Sequence, residues 1–476
     1  MPGRIRLAIP VRRFRGDRGQ NALPQLNFRV PSMTEVNLNA GALAPVVDEV
    51  HLIDLPTVGS IPPDLNGVLL RNGPNPLQGR FEGHDVLSWW SEAAMLHAIS
   101  FEEGRVVSYR NRWARTRRWA QVHDPDSTPR RVDTNPSVSV LHHAGEVLAL
   151  SEGGIPLVIT AELDTLGATR RHRGLAGGVN AHPKIDRQTG ELMTFRASPQ
   201  KPWLCYGVTD SNGIQQLDIE LELPSASMMH DMAITATHSI LLDLNVAYDF
   251  SLLSRGHRLP LRWHADRNAR LGIIPRHGGK VRWFEVAPCF IQHVVNAYDA
   301  DASTIVLDAV RYPHYLRLTN DGTRFDANPL GVLWRYVFDL AKETVSEQQI
   351  DDAGIELPRI NEDKTGCPYR YLYAAEQPSN TEIRGVVRYD LRQRSMQRYK
   401  VPAGDQNSEP VFVARHGAVG EDDGWLLVCV YRHATDTTDV VILDGRDLES
   451  DPVATVRLPR RIPAGFHGAW LPRAPE

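Results

Sequence analysis

From about residue 45 the chain reads as short apolar runs separated by turn residues. Gly67-Val68-Leu69-Leu70, Val147-Leu148-Ala149-Leu150, Ser239-Ile240-Leu241-Leu242, Thr304-Ile305-Val306-Leu307, Trp425-Leu426-Leu427-Val428 and Val440-Val441-Ile442-Leu443 are typical. Runs of about four to eight apolar residues bounded by Gly, Asp, Asn or Pro predict β-strands. Long amphipathic helical periodicities are rare. Turn signals recur, as in Arg71-Asn72-Gly73-Pro74-Asn75-Pro76 and Asn320-Asp321-Gly322. Strands at this spacing favour an all-β sandwich, barrel or propeller. The length of 476 residues without a clear linker favours a propeller. No clean internal repeat supports that choice, so pattern alone leaves the three architectures open.

Composition narrows the picture. With 42% hydrophobic and 23% charged residues, the chain is ordinary globular protein with ample core. A formal net charge of −4 offers no basic field for nucleic acid. The four cysteines, Cys205, Cys289, Cys367 and Cys429, form no Cys-x-x-Cys pair. Neither a zinc ribbon nor a disulfide scaffold is indicated, and a reduced, cytoplasmic setting is expected. No run of 18 or more apolar residues predicts a spanning helix. The first 20 residues hold six arginines and one acid, Asp17. Residues 1–44 are therefore expected to be a basic, disordered leader, with Met33 as a later candidate start. A targeting or anionic-membrane segment is the alternative, although no apolar stretch of signal-peptide type follows. Residues 45–476 are expected to be one domain.

Four histidines among the 18 of the chain stand apart, because small, apolar or amide-bearing residues flank them. They are His182 in Ala-His-Pro-Lys, His230 in Met-Met-His-Asp, His293 in Ile-Gln-His-Val-Val-Asn-Ala and His467 in Gly-Phe-His-Gly. Brought together by folding, four imidazoles make a metal site. Without cysteine or carboxylate among the ligands, such a site suits iron or another first-row metal better than calcium or magnesium. The residues alone leave open whether the four meet. The other histidines read as surface or satisfied core residues. His142 and His143, adjacent on a predicted strand or hairpin, would face opposite sides, which argues against a metal role for the pair.

Ordered motifs run from Ile61 to Trp470. They include Ile61-Pro62-Pro63-Asp64-Leu65-Asn66-Gly67, Tyr109-Arg110-Asn111-Arg112, Ala181-His182-Pro183-Lys184-Ile185-Asp186 and Met229-His230-Asp231. Further on come Ile273-Ile274-Pro275-Arg276, His293-Val294-Val295-Asn296-Ala297, Glu356-Leu357-Pro358-Arg359-Ile360-Asn361, Ser408-Glu409-Pro410-Val411 and Gly465-Phe466-His467-Gly468. Together they resemble the carotenoid cleavage oxygenase family, which includes stilbene-cleaving dioxygenases and retinoid isomerases. The resemblance implies a seven-bladed β-propeller with iron on its axis, capped by loops and helices that form the substrate tunnel. It implies His182, His230, His293 and His467 as ligands of Fe(2+), with Glu152, Glu356 and Glu409 behind them. A carboxylate on the far nitrogen of a ligating imidazole fixes its tautomer and raises its basicity. The implied reaction is cleavage of a C=C bond of an apolar polyene by O2 into two carbonyl products.

Departures from the family pattern bear on the substrate. Trp90-Ser91-Glu92-Ala93-Ala94-Met95-Leu96-His97 stands where relatives often carry a Phe-Asp-Gly-Asp-Gly-Met turn. Ser151 precedes Glu152 where the phenol-cleaving branch has a lysine, which argues for a carotenoid-like substrate over a hydroxystilbene. Val138 stands near a position where relatives often have threonine, and its bulk either narrows the open side of the metal or packs. The segment Phe250–Pro260, Phe-Ser-Leu-Leu-Ser-Arg-Gly-His-Arg-Leu-Pro, reads as a surface loop or short helix packed on the body, with an apolar tunnel mouth or a membrane-contact patch as the functional alternative. The rival readings are a stilbene or phenylpropene dioxygenase and a propeller that binds lipid without turnover.

Overall fold

The computed structural model describes residues 37–83, 86–380 and 382–473. The arginine-rich first 20 residues and Met33 lie outside the described residues. Leu38 and Ala42 are already buried, and the Ala42 carbonyl accepts the Ala464 N–H at 2.7 Å. The packed body therefore begins ahead of the boundary expected at residue 45.

Antiparallel sheets of about four strands follow one another along the chain and form the seven blades of a propeller. The first is built on Gly67–Pro74, Ala94–Glu102 and Arg105–Trp113. Ser139–His143 opens the second, Lys184–Ile185 the third and Ala233–Ile234 the fourth. Phe290–Asp301 opens the fifth, and the 16-residue strand Thr344–Arg359 runs from the fifth into the sixth. Val411–Ala414, Gly424–Arg432, Thr437–Asp444 and Ala454–Leu458 form the seventh.

Both chain ends close the ring. Thr57–Gly59 pairs with Ala454–Leu458 at the outer edge of the seventh blade. Gly468–Pro472 pairs with Gly67–Pro74 at the inner edge of the first. Such closure leaves only short, protected edges.

All six apolar runs singled out above lie within strands, at Gly67–Pro74, Glu146–Leu150, His238–Asp243, Thr304–Tyr312, Gly424–Arg432 and Thr437–Asp444. They are interior strands of their blades, covered on both faces, which is why they read as continuous rather than alternating patterns. The turn read at Arg71–Pro76 is corrected by the structure: Arg71–Pro74 continues the strand. Asn72 and Asn75 there do not turn the chain. Asn72 Nδ2 donates to the carbonyls of Pro136 and Ser139, and Asn75 exchanges hydrogen bonds with the backbone of Val46. Gly73 permits a close approach: a Cβ there would stand 2.5 Å from Cα of Gly465. That contact brings the segment before His467 onto the first blade.

Short insertions cap one end. Helix Val86–Trp90 lies between the first two strands of blade one. The pair Val246–Tyr248 and Leu261–Trp263, with helix Ser251–Ser254, interrupts blade four. The two insertions meet where Arg258 donates to Ser88 Oγ at 2.8 Å. Among the described residues no helix is long and apolar enough to cross a membrane.

Candidate metal centre

Each of the four singled-out histidines sits in, or just ahead of, an innermost strand. His182 precedes Lys184–Ile185, His230 precedes Ala233–Ile234, His293 lies within Phe290–Asp301, and His467 precedes Gly468–Pro472. Blades three, four, five and one thus each send one imidazole to the axis. His182 Nε2 and His230 Nε2 face each other at 3.1 Å. The ligand atoms of His182, His230 and His293 all lie within 4.8 Å of one another. His467 packs edge-on to His182 and His293, with ring centres 4.5 and 4.8 Å away.

The inward nitrogens have the character of a metal site. His293 Nε2 is buried and has no hydrogen-bond partner. A buried polar nitrogen left in this state is costly unless something else fills its lone pair. The outward nitrogens meet carboxylates instead. His293 Nδ1 stands 2.5 Å from Glu356 Oε2, and His467 Nδ1 stands 2.9 Å from Glu409 Oε1. Against acceptors, both Nδ1 atoms carry the proton, so both Nε2 atoms offer lone pairs inward. His230 Nδ1 is 2.8 Å from Glu152 Oε1, at an angle outside hydrogen-bond geometry.

The three glutamates differ in setting. Glu356 and Glu409 are 5% and 3% exposed, whereas the Glu152 side chain is 39% exposed. Glu356 enters from blade six, Glu409 from blade seven and Glu152 from blade two, so the three blades that supply no histidine supply the carboxylates. Glu356 also accepts from the Tyr312 hydroxyl at 2.8 Å and from the Leu357 N–H. Glu409 accepts the Gly468 N–H at 2.8 Å and lies 3.4 Å from the Arg359 guanidinium.

Electrostatics follows this geometry. Burial works against ionisation of Glu409, yet Arg359 and His467 pull its carboxyl down to about 2. Burial likewise opposes ionised Glu356, but His293 and its hydrogen bonds hold it below the usual carboxylate range. Desolvation would lower His293, and the Glu356 carboxylate more than offsets this, so its net shift is upward. His182, desolvated and surrounded by His467, His230 and His293, is pushed well below the ordinary histidine value. This holds the His182 imidazole neutral, as a metal ligand requires.

A cavity of about 280 Å³ reaches three of the histidines, His182, His293 and His467. Its walls come from the inner strands of all seven blades and include Lys184, Arg187, Asp231, Arg359 and Glu362. Apolar side chains share the lining with these charged ones, Leu141, Ile234, Val295 and Ile360 among them.

Val138 serves the site through its backbone: its carbonyl accepts the His467 N–H at 3.2 Å. Ser151 occupies a turn, where its carbonyl accepts the Gly154 N–H. The altered segment forms the end of helix Val86–Trp90 and the start of strand Ala94–Glu102. His97 is buried there with Nδ1 3.0 Å from the Tyr109 hydroxyl, away from the four histidines. His142 and His143 do face opposite sides, exposed and buried respectively. The sequence reading missed that His143 Nδ1 bonds His172 Nε2 at 2.7 Å.

With this geometry in hand, comparison with known proteins is direct. Residues 43–472 match the family model described as retinal pigment epithelial membrane protein. A carotenoid cleavage oxygenase from Mycobacterium tuberculosis is 34% identical, over 91% of this chain and 97% of that protein. The chain belongs to the carotenoid cleavage oxygenase family. Family members similar to it include apocarotenoid-15,15'-oxygenase of Synechocystis, 29% identical over 87% of this chain and 91% of its own length. Among solved members, cobalt-substituted apocarotenoid oxygenase from Synechocystis superposes with a TM-score of 0.79 at 27% identity, covering 90% of this chain and 97% of that one. Lignostilbene dioxygenase from Pseudomonas brassicacearum has the same fold, with a TM-score of 0.81 at 24% identity over 93% of this chain and all of that one.

Proposed function

We propose that this protein is an iron(II) dioxygenase that cleaves one C=C bond of a carotenoid or apocarotenoid. The balanced reaction is R–CH=CH–R′ plus O2 to R–CHO plus R′–CHO. The observation that carries this reading is the convergence of His182, His230, His293 and His467 on one point, with lone pairs turned inward by Glu356 and Glu409. An all-imidazole donor set of this kind fits iron(II), which would supply redox-active chemistry toward O2 at this point.

This chain's residues supply the rest. Four neutral ligands leave the metal's charge unbalanced among the donors, and the carboxylates behind them compensate at one remove. Because His293 and His467 keep their Nδ1 protons on Glu356 and Glu409, neither imidazole turns its N–H toward the reactants. Beside the centre, the Phe466 ring lies tilted against Trp89 of the cap with centres 4.7 Å apart, and Tyr315 stacks at 4.5 Å on Phe290. Aromatic walls exclude water and hold a rigid polyene so that one bond meets the centre.

The names of the similar family members support a carotenoid-type substrate, and so does Ser151 in place of a phenolate-binding lysine. Phe250 and Leu253, 52% and 47% exposed on the cap, support peripheral contact with the lipid in which such substrates dissolve. The four cysteines, all free, suit a reduced compartment. The test is product identification by mass spectrometry after iron(II)-loaded protein meets carotenoids, apocarotenals and hydroxystilbenes in air. Paired polyene aldehydes are expected. Aromatic aldehydes alone would assign the protein to phenolic alkenes instead.

A further inference from the structure

Asp231 follows His230 directly and is 1% exposed. Its carboxylate receives three donors. Oδ1 accepts the Met232 N–H at 2.7 Å and lies 2.7 Å from Lys184 Nζ, while Oδ2 accepts the Val294 N–H at 2.8 Å. Lys184 lies two residues after His182 in the inner strand of blade three. Val294 lies one residue after His293 in the inner strand of blade five. One side chain of blade four thus ties together the chain segments that carry three of the four histidines.

Such a tie answers a mechanical need. Hydrogen-bond ladders run within blades, and the inner strands of blades three, four and five belong to three separate sheets. Nothing in those ladders fixes the spacing of His182, His230 and His293. The Nε2 atoms of His182 and His230 face each other at 3.1 Å, and once both present lone pairs, as metal ligation requires, they repel one another until a cation lies between them. A buried carboxylate with short bonds to two neighbouring blades resists that repulsion and sets the spacing in advance.

We infer that Asp231 is a positioning residue that presets the spacing of His182, His230 and His293 for the metal by clipping blade four to Lys184 and Val294. The inference rests on the metal-site reading above. Asp231→Asn keeps the shape but breaks a link in either amide orientation. With Nδ2 toward Val294, two N–H groups oppose each other; with Nδ2 toward Lys184, an ammonium and an amide N–H do. Lys184→Met keeps most of the stem and breaks only the link to blade three.

The test measures loss of iron(II), and separately of cobalt(II), to a chelator, together with the visible spectrum of the cobalt(II) protein and the melting of the metal-free protein. Expected are at least tenfold faster metal loss and a changed cobalt spectrum for Asp231→Asn. A smaller effect in the same direction is expected for Lys184→Met, with metal-free melting close to wild type. Where Asp231→Asn fails to fold, Lys184→Met decides. Wild-type retention and spectrum in the variants would overturn the inference while leaving the metal site intact. So would metal loss that merely tracks a fall in metal-free melting. Wild-type protein that holds neither ion would overturn the metal-site reading itself, and this inference with it.

Discussion

Glu356 stands 2.5 Å from Nδ1 of His293 and takes the Tyr312 hydroxyl bond on its other oxygen at 2.8 Å. The carboxylate has no freedom left, and the imidazole it holds has one nitrogen buried without a protein partner. Glu356→Gln fits this frame: its oxygen keeps the Leu357 and His293 donors while its amide meets the Tyr312 oxygen. The ring keeps its tautomer but loses the negative charge behind it. Metal affinity should fall about 10- to 100-fold, measured by competition with a chelator.

The backing carboxylates should not be equivalent. Glu409 is buried with His467, Gly468 and Arg359 around it, whereas Glu152 is 39% exposed and meets His230 off-angle. Glu409→Ala leaves the Gly468 N–H and the His467 Nδ1–H unpaired in the interior and removes one of the two carboxylates on Arg359, which keeps Glu362. It should lose metal binding and about 2 kcal/mol or more of stability, the scale of leaving buried donors unpaired. Glu152→Ala should keep stability within about 0.5 kcal/mol and weaken the metal less. Chemical denaturation and metal titration on both variants decide the order.

Acid should destabilise the first blade through His97. Burial, with Arg71 and Arg460 adding to it, depresses His97 from 6.5 to about 3. Between those values the unfolded chain binds a proton that the folded chain refuses, so unfolding free energy falls as pH falls. The contribution is complete above pH 6.5 and is lost progressively toward pH 3. Its slope approaches about 1.4 kcal/mol per pH unit. His97→Gln should flatten the stability profile in that window by this amount, measured by denaturation from pH 7 to 4.

The close approach of Gly73 and Gly465 predicts a strong local effect. An added methyl at either position would press on backbone within 2.6 Å. Gly465→Ala should cost about 1–3 kcal/mol by overpacking and displace His467, so metal retention should fall along with melting temperature. An alanine variant that retains wild-type melting and metal would contradict this packing.

How far the sequence could be read depended on how local each signal was. Interior strands were legible because burial on both faces leaves unbroken apolar runs, as at Trp425–Val428. Outer strands such as Gln215–Leu221, alternating and half exposed, left a weaker trace. Arg71–Pro76 misled because Asn, Gly and Pro usually mark turns, and here the asparagine side chains are spent on buried tertiary bonds. The four histidines stood out by their apolar neighbours, but their convergence became legible only through the family motifs. Residues as far apart as His182 and His467 carry no local sign of contact. Asp231 and Arg359 escaped notice although each lies inside a quoted motif. Their partners, Val294 and Glu409, are distant in the chain. The pairing of His143 with His172 was hidden for the same reason.

The most direct measurement is product formation titrated against iron(II), with wild type beside His293→Ala. The account predicts that two polyene aldehydes appear in equal amounts in air, in proportion to bound iron up to one ion per chain. It predicts neither iron retention nor product for His293→Ala. Cleavage by iron-free protein, or unimpaired turnover by His293→Ala, would contradict it.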